Sequence, residues 1–274
     1  MPRELSTRRR YHKTPFIIAA CALTCAITCA ITSWSSRARA FDPFEIQVYD
    51  GNANEVGQFG AELHLNYVAK GVKTAEPPLL PPHHQLHATF EGSYGLKEWW
   101  ELGAYLQSAV HDDFHADYAG AKLRSKFVTP PSFHPHVRLG VNVELSRVPQ
   151  AYDPDRWGGE LRPIVAWENV EWTFAFNPIL AVPLAGAGYR EGPSFEPAFA
   201  VYKKVRDRVS FGVEYYATLG PPFHPRARRE QEHYLFGVGN LIAFEGWELN
   251  VGVGGGLTEA SNGMILKTIM GHGF

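Results

Sequence analysis

The sequence predicts an all-β chain: a closed antiparallel transmembrane β-barrel of about 12 strands, with short periplasmic turns and longer external loops. Three observations predict it. Beyond residue 56, apolar and polar residues alternate with period two in segment after segment, most of them ten to thirteen residues long. Strands of soluble sheets average about 5–6 residues, whereas tilted membrane-crossing strands need about 9–11. The connections alternate between tight and long, and the chain closes on a terminal Phe274 behind a secretory leader. Composition agrees. At 45% hydrophobic and 20% charged, the 274 residues lack the repeated apolar runs of roughly 20 that a polytopic helical protein needs. The 26 Gly and 20 Pro suit a turn-rich chain.

The first element is a cleavable signal peptide over residues 1–40. Arg3, Arg8, Arg9, Arg10 and Lys13 supply a basic start, Phe16 to Ile31 an apolar stretch too short to anchor, and Ala38-Arg39-Ala40 a small-x-small site that predicts cleavage before Phe41. Cys21, Cys25 and Cys29 all leave with it, so the mature chain has no thiol, disulfide or cysteine metal site. Removing seven of 26 basic and one of 28 acidic residues leaves 19 against 27, a formal charge of −8. No basic footprint for nucleic acid survives, and export excludes such a partner equally. Residues 41–56 form an N-terminal periplasmic segment ahead of the barrel, either a short periplasmic strand or a plug.

The barrel spans residues 57–274. Its strands are predicted at 57–69, 86–95, 99–110, 117–128, 136–147, 159–168, 170–182, 193–203, 208–219, 231–243, 247–258 and 263–274. In the fifth, Val137, Leu139, Val141, Val143 and Leu145 share one face while Arg138, Asn142 and Glu144 share the other. Leu96-Lys97-Glu98, Asn169, Lys204 to Asp207 and Phe244-Glu245-Gly246 mark tight turns; 71–85, 148–158, 183–192 and 220–230 mark long loops. Thr129 to Pro135 is longer than its place in the alternation predicts. An even strand number brings both termini to one side, and closure removes exposed edges.

A soluble sandwich would turn the apolar faces inward; a membrane barrel turns them to lipid and leaves the polar faces to a wet lumen. Charges in mid-strand favour the second. Lys122, Arg124 and Lys126 leave one face of a single strand, Arg138 on the next extends the patch, and Glu101 and Glu144 are the expected lumenal carboxylates opposite them. This is the candidate lumen charge strip. Trp99, Trp100, Trp167, Trp172, Trp247, Tyr118 and Tyr189 sit near strand ends, where amphipathic rings meet headgroups.

The last strand places Met264, Leu266, Met270 and Phe274 on one face. It resembles the C-terminal signal of bacterial outer-membrane barrels, with His272 where a second aromatic is usual. The resemblance implies that Leu266, Met270 and Phe274 form an assembly signal read by the barrel-assembly machinery. The stretches Phe41 to Gly51 and Gly60 to Tyr67 resemble a group of proteobacterial outer-membrane proteins related to the channel-like barrels called "MetA-pathway of phenol degradation" or "transporter". That resemblance implies a closed barrel, outer-membrane lipid as a partner, and passive transport; it brings no catalytic residues.

Two motifs point elsewhere. Glu259-Ala260-Ser261-Asn262 is similar to the His-x-Ser-Asn of outer-membrane lipid hydrolases. Glutamate stands in the place of the base, though, and Ser-Asn-Gly is ordinary turn chemistry. His83, His84, His87, His111 and His115, with Asp112 and Asp113, carry metal-ligating groups, but on loops that fix no geometry. No catalytic, metal or cofactor site is therefore expected. The reading is an outer-membrane protein, not an enzyme, acting as a narrow passive channel for small solutes. The alternatives are a non-conducting structural or surface barrel and, third, a lipid hydrolase.

Overall fold

The computed structural model describes residues 42–243 and 246–274. The signal peptide, its cleavage site before Phe41 and the tight turn at Phe244-Glu245 lie outside the described residues. Twelve strands form among those described: β1 (Phe59–Lys70), β2 (Leu86–Lys97), β3 (Trp100–Val110), β4 (Ala116–Val128), β5 (Val137–Arg147), β6 (Asp155–Glu168), β7 (Trp172–Gly186), β8 (Ser194–Arg206), β9 (Val209–Thr218), β10 (Glu232–Ile242), β11 (Trp247–Gly256) and β12 (Met264–Gly273). Each pairs antiparallel with its neighbours in sequence, and β1 pairs with β12 to close the barrel.

Period two explains the wall. Leu106, Leu123, Val143, Val165, Phe211 and Val253 face outward and stay exposed, while Asn66, Thr89, Gln107, Asn142 and Asn177 face inward and are buried. The inversion relative to a soluble sheet is that of a lipid-facing barrel. The start of β1, the end of β12 and the short turns gather at one end, which that architecture assigns to the periplasm. An aromatic band follows it: Trp99 and Trp100 stack beside Phe127, Trp167 and Trp172 meet Phe174, and Trp247 stacks on His272. The long Thr129–Pro135 turn is tied down by the Thr129 N–H to the Leu139 carbonyl and by the Leu139 N–H to Thr129 Oγ1.

β6 and β7 run past their predicted outer ends, pairing Asp155 with Gly186 as a projecting external hairpin. Lower down, the same pair is interrupted. Its register passes from Leu161↔Leu180 to Val165↔Phe176, skipping Pro163 and Pro178, and Pro178 in turn faces Pro197 on β8. A proline has no N–H to give, and a closed barrel has no edge on which to hide it, so the ladder itself opens.

Of the two readings of the segment preceding β1, a short periplasmic strand or a plug, the structure shows the plug. Its described part, from residue 42, is not periplasmic but lies inside the barrel. Phe44 packs against His87 and Tyr152 in the outer half; Asn54 reaches Ser93 and Glu101 near the periplasmic end. Ile46 and Val48 are buried against a wall of small residues, Ala166, Ala175, Ala198 and Ala200, and against Tyr234 and Phe236. The molecule's core is therefore this plug and the wall around it.

Candidate functional site

The plug pairs with no strand, so its backbone needs partners from the wall. Side chains supply them one carbonyl at a time. Asn66 Nδ2 donates to the Pro43 carbonyl (2.9 Å), Thr89 Oγ1 to Phe44 (2.9 Å), Lys267 Nζ to Ile46 (2.9 Å) and Arg162 Nη1 to Gln47 (3.3 Å). Asn177 serves Tyr49 twice, accepting from its N–H (2.7 Å) and donating to its carbonyl (2.9 Å). Residues from β1, β2, β6, β7 and β12 thus grip one extended path.

The predicted charge strip is what surrounds that path. Lys122, Arg124 and Lys126 all point inward from β4. Lys122 Nζ lies 2.6 Å from Asp42 Oδ2, 2.9 Å from Glu45 Oε2 and 3.5 Å from Glu144 Oε2. Arg124 forks between Glu91 and Glu101, its Nη1 2.7 Å from Glu101 Oε1, and Lys126 Nζ reaches the same oxygen at 2.8 Å. Glu101 Oε2 then accepts the plug's Asn54 N–H at 2.6 Å. The expected carboxylates Glu101 and Glu144 are therefore in place. Arg138 is not part of this strip: it pairs with Glu168, which Lys204 also holds, in a separate group nearer the periplasmic end. The reason is register: Lys126 faces Asn142 and the β4–β5 ladder ends at Val128↔Gly140, so Arg138 lies beyond it, where the plug's turn at Gly51 (φ +82°) packs so closely that a Cβ there would lie 2.8 Å from Arg138 Cβ.

Two residues of the plug, and Lys267 on β12, escaped sequence reasoning. Glu45 and Tyr49 sit on a segment with no periodicity, and their partners lie far along the chain. The Tyr49 hydroxyl donates to Glu45 Oε1 (2.8 Å) and lies 2.8 Å from that of Tyr105. Its ring meets Arg162 at 4.4 Å and is flanked by Arg124 and Lys126. Arg162 Nε also binds Glu160 Oε1 at 2.6 Å. Lys267 Nζ, fully buried on β12, pairs with Glu214 Oε2 at 2.5 Å. Inward mid-strand position marks Arg162 and Glu214 in the sequence and is the signal that could have found Lys267; none existed for the plug. Burial alone would raise the Glu45 carboxyl, but Lys122 and Arg162 outweigh it and hold it well below the usual carboxylate range.

Below the plug a cavity of about 720 Å³ opens toward the periplasmic end, bordered by charged groups that include Glu62, Arg206, Arg208 and Glu248. The remaining candidates separate. His83 stacks on His84, His87 is buried against Phe44, and His111 and His115 both contact Asp117 at 3.1 and 3.0 Å. Asp113 Oδ1 only caps the His115 N–H. The Ser261 hydroxyl is engaged by the His233 backbone (2.9 and 3.1 Å) and by Thr258 Oγ1 (2.7 Å), which is turn chemistry. On β12, Leu266 and Phe274 are exposed on the lipid-facing side and Met270 shares that side, while Ile265, Lys267 and Ile269 face the lumen.

The chain matches no protein-family model and no curated protein. Among solved structures it is similar to the COG4313 outer membrane channel from Pseudomonas putida F1, with a TM-score of 0.56 at 13% identity, covering 84% of this chain and 100% of that one. It is also similar to the KdgM porin (TM-score 0.53, 8% identity, 78% and 99% covered) and to the NanC porin (0.53, 7%, 77% and 97%). At such identities the likeness is one of fold, and the fold of this chain is that of a twelve-stranded outer-membrane β-barrel of the kind built by these channels and porins.

Proposed function

We propose that the protein is a narrow passive channel for small solutes whose lumen is closed at rest by the plug. The observation that carries this reading is the lumen's construction. The plug crosses it without joining the sheet, held by wall side chains that would line a polar path once it moved. Ile46 and Val48 give the contact an apolar patch, but ion pairs and side-chain hydrogen bonds, which water can replace, make up much of the rest. The charged strip of β4 then supplies the transverse field that selects solutes by charge.

Planar-bilayer recording tests it. The wild type is expected to pass little current, and a variant lacking residues 42–54 several times more. Without Asp42, Glu45 and Asp50 the lumen loses three acids, so the open variant favours anions, and Lys122→Glu/Arg124→Glu in that background reverses the preference. Unchanged selectivity would discard the field. A deletion variant that folds, as its faster migration before boiling would show, and yet carries no current would overturn the channel. The close packing of the plug favours the second reading, a non-conducting surface module, in that case alone.

A further inference from the structure

Glu62 and His64 leave β1 on its inward side, and Glu91 on β2 stands directly across the ladder from Glu62. Two carboxylates in facing positions repel. Arg124 takes up only Oε1 of Glu91. The other oxygen, Oε2, lies 3.5 Å from His64 Nε2, and Glu62 Oε2 lies 3.4 Å from the same nitrogen. His64 is fully buried, and neither of its ring nitrogens makes a hydrogen bond. One ligand atom from each of the three residues falls within 4.8 Å of the others, the one such group among the described residues.

We infer that Glu62, His64 and Glu91 form a binding site for a divalent transition-metal cation of the zinc class on the lumen wall. Zinc bonds of about 2.1 Å in a tetrahedron set ligand atoms about 3.4 Å apart, and the two Nε2–Oε2 spacings are 3.4 and 3.5 Å. An imidazole joined to two carboxylates suits zinc and its neighbours rather than calcium or magnesium, which take oxygen alone. Glu62 and Glu91 border the periplasm-facing cavity, which gives the ion a way in and leaves a fourth position to water. The Gln47 amide, 3.5 Å from Glu62 Oε2, brings the plug to the rim of the site. A bound cation would neutralise the facing glutamates and fasten β1 to β2 beside the plug.

The test is calorimetric titration of zinc into the full chain, folded in detergent micelles and stripped with a chelator, near neutral pH. The expected result is one zinc per barrel, weakened at least about tenfold by His64→Asn and by Glu62→Gln and unchanged by His111→Asn/His115→Asn. Migration before and after boiling shows that each variant is folded; if His64→Asn is not, Glu62→Gln, only half-buried, makes the comparison. Folded wild type that takes up no zinc overturns the site, and would mean that a proton on His64 separates the carboxylates. Binding that survives Glu62→Gln, or equal binding of calcium, overturns it too. Metal uptake is read without any current, so its failure leaves the channel reading untouched.

Discussion

Glu45 is where the plug's charge and its backbone path meet. It faces Lys122 at 2.9 Å and Arg162 at 3.6 Å and accepts from the Tyr49 hydroxyl. Glu45→Gln keeps the shape and removes the charge, leaving two buried cations with fewer partners. Hydrogen bonds to charged groups contribute about 2 kcal/mol, so amides around residues 45–49 should exchange roughly thirtyfold faster, as read by native-state hydrogen exchange. The pH dependence follows from the same contacts. Because the folded carboxyl titrates below its ordinary value, its contribution is complete above that value, and is lost only as the pH falls through the lowered one. Protection of the plug should therefore stay level from about pH 7 to about pH 5. Release of the plug within that window would assign its hold to a different group.

At the scale of elements, strands were legible, whereas the plug was legible only as one of two alternatives and its contacts not at all, for one physical reason. A wall strand meets lipid on one side and a polar lumen on the other, so its sequence must alternate, and Val137 to Leu145 shows both faces at once. The plug meets lumen wall on every side. Phe44, Ile46 and Val48 are buried among apolar and small residues while Glu45 meets cations, and Tyr49 finds Asn177 across 128 positions of sequence. No local rule encodes that. The strip Lys122, Arg124 and Lys126 was legible because three inward places on one strand must converge. Arg138 departed from it because the register sets Lys126 against Asn142 and leaves Arg138 past the end of the β4–β5 ladder. The interrupted β6–β7 ladder belongs to this scale as well. Prolines in a sequence announce lost donors, but only the register aligns Pro163, Pro178 and Pro197 side by side. Of the strand amides, those within 162–164 and 177–179 should exchange faster than those of the unbroken β2–β3 ladder. Equal protection would mean that the gap is bridged in the membrane.

For the whole molecule, the closing contact between β1 and β12 joins the first strand made to the last. Phe274 finishes it, its N–H donating to the Phe59 carbonyl at 2.7 Å, while its ring remains 69% exposed beside His272. An exposed ring contributes little to folded stability, so a role in assembly and a role in packing can be told apart. Phe274→Ala should lower the amount of folded barrel recovered from the outer membrane of a bacterial host. The purified variant refolded from urea into vesicles should match wild-type stability to within about 0.5 kcal/mol. Loss in both measurements would make the residue a packing element instead of a signal.

The plug is also covalently continuous with β1 through the turn at Gly57. A tether this short keeps the displaced segment at an effective concentration in the millimolar range, whatever the dilution of the protein. Reseating is thus a first-order event, and a free peptide of the same sequence has to approach about millimolar levels before it competes for the bore.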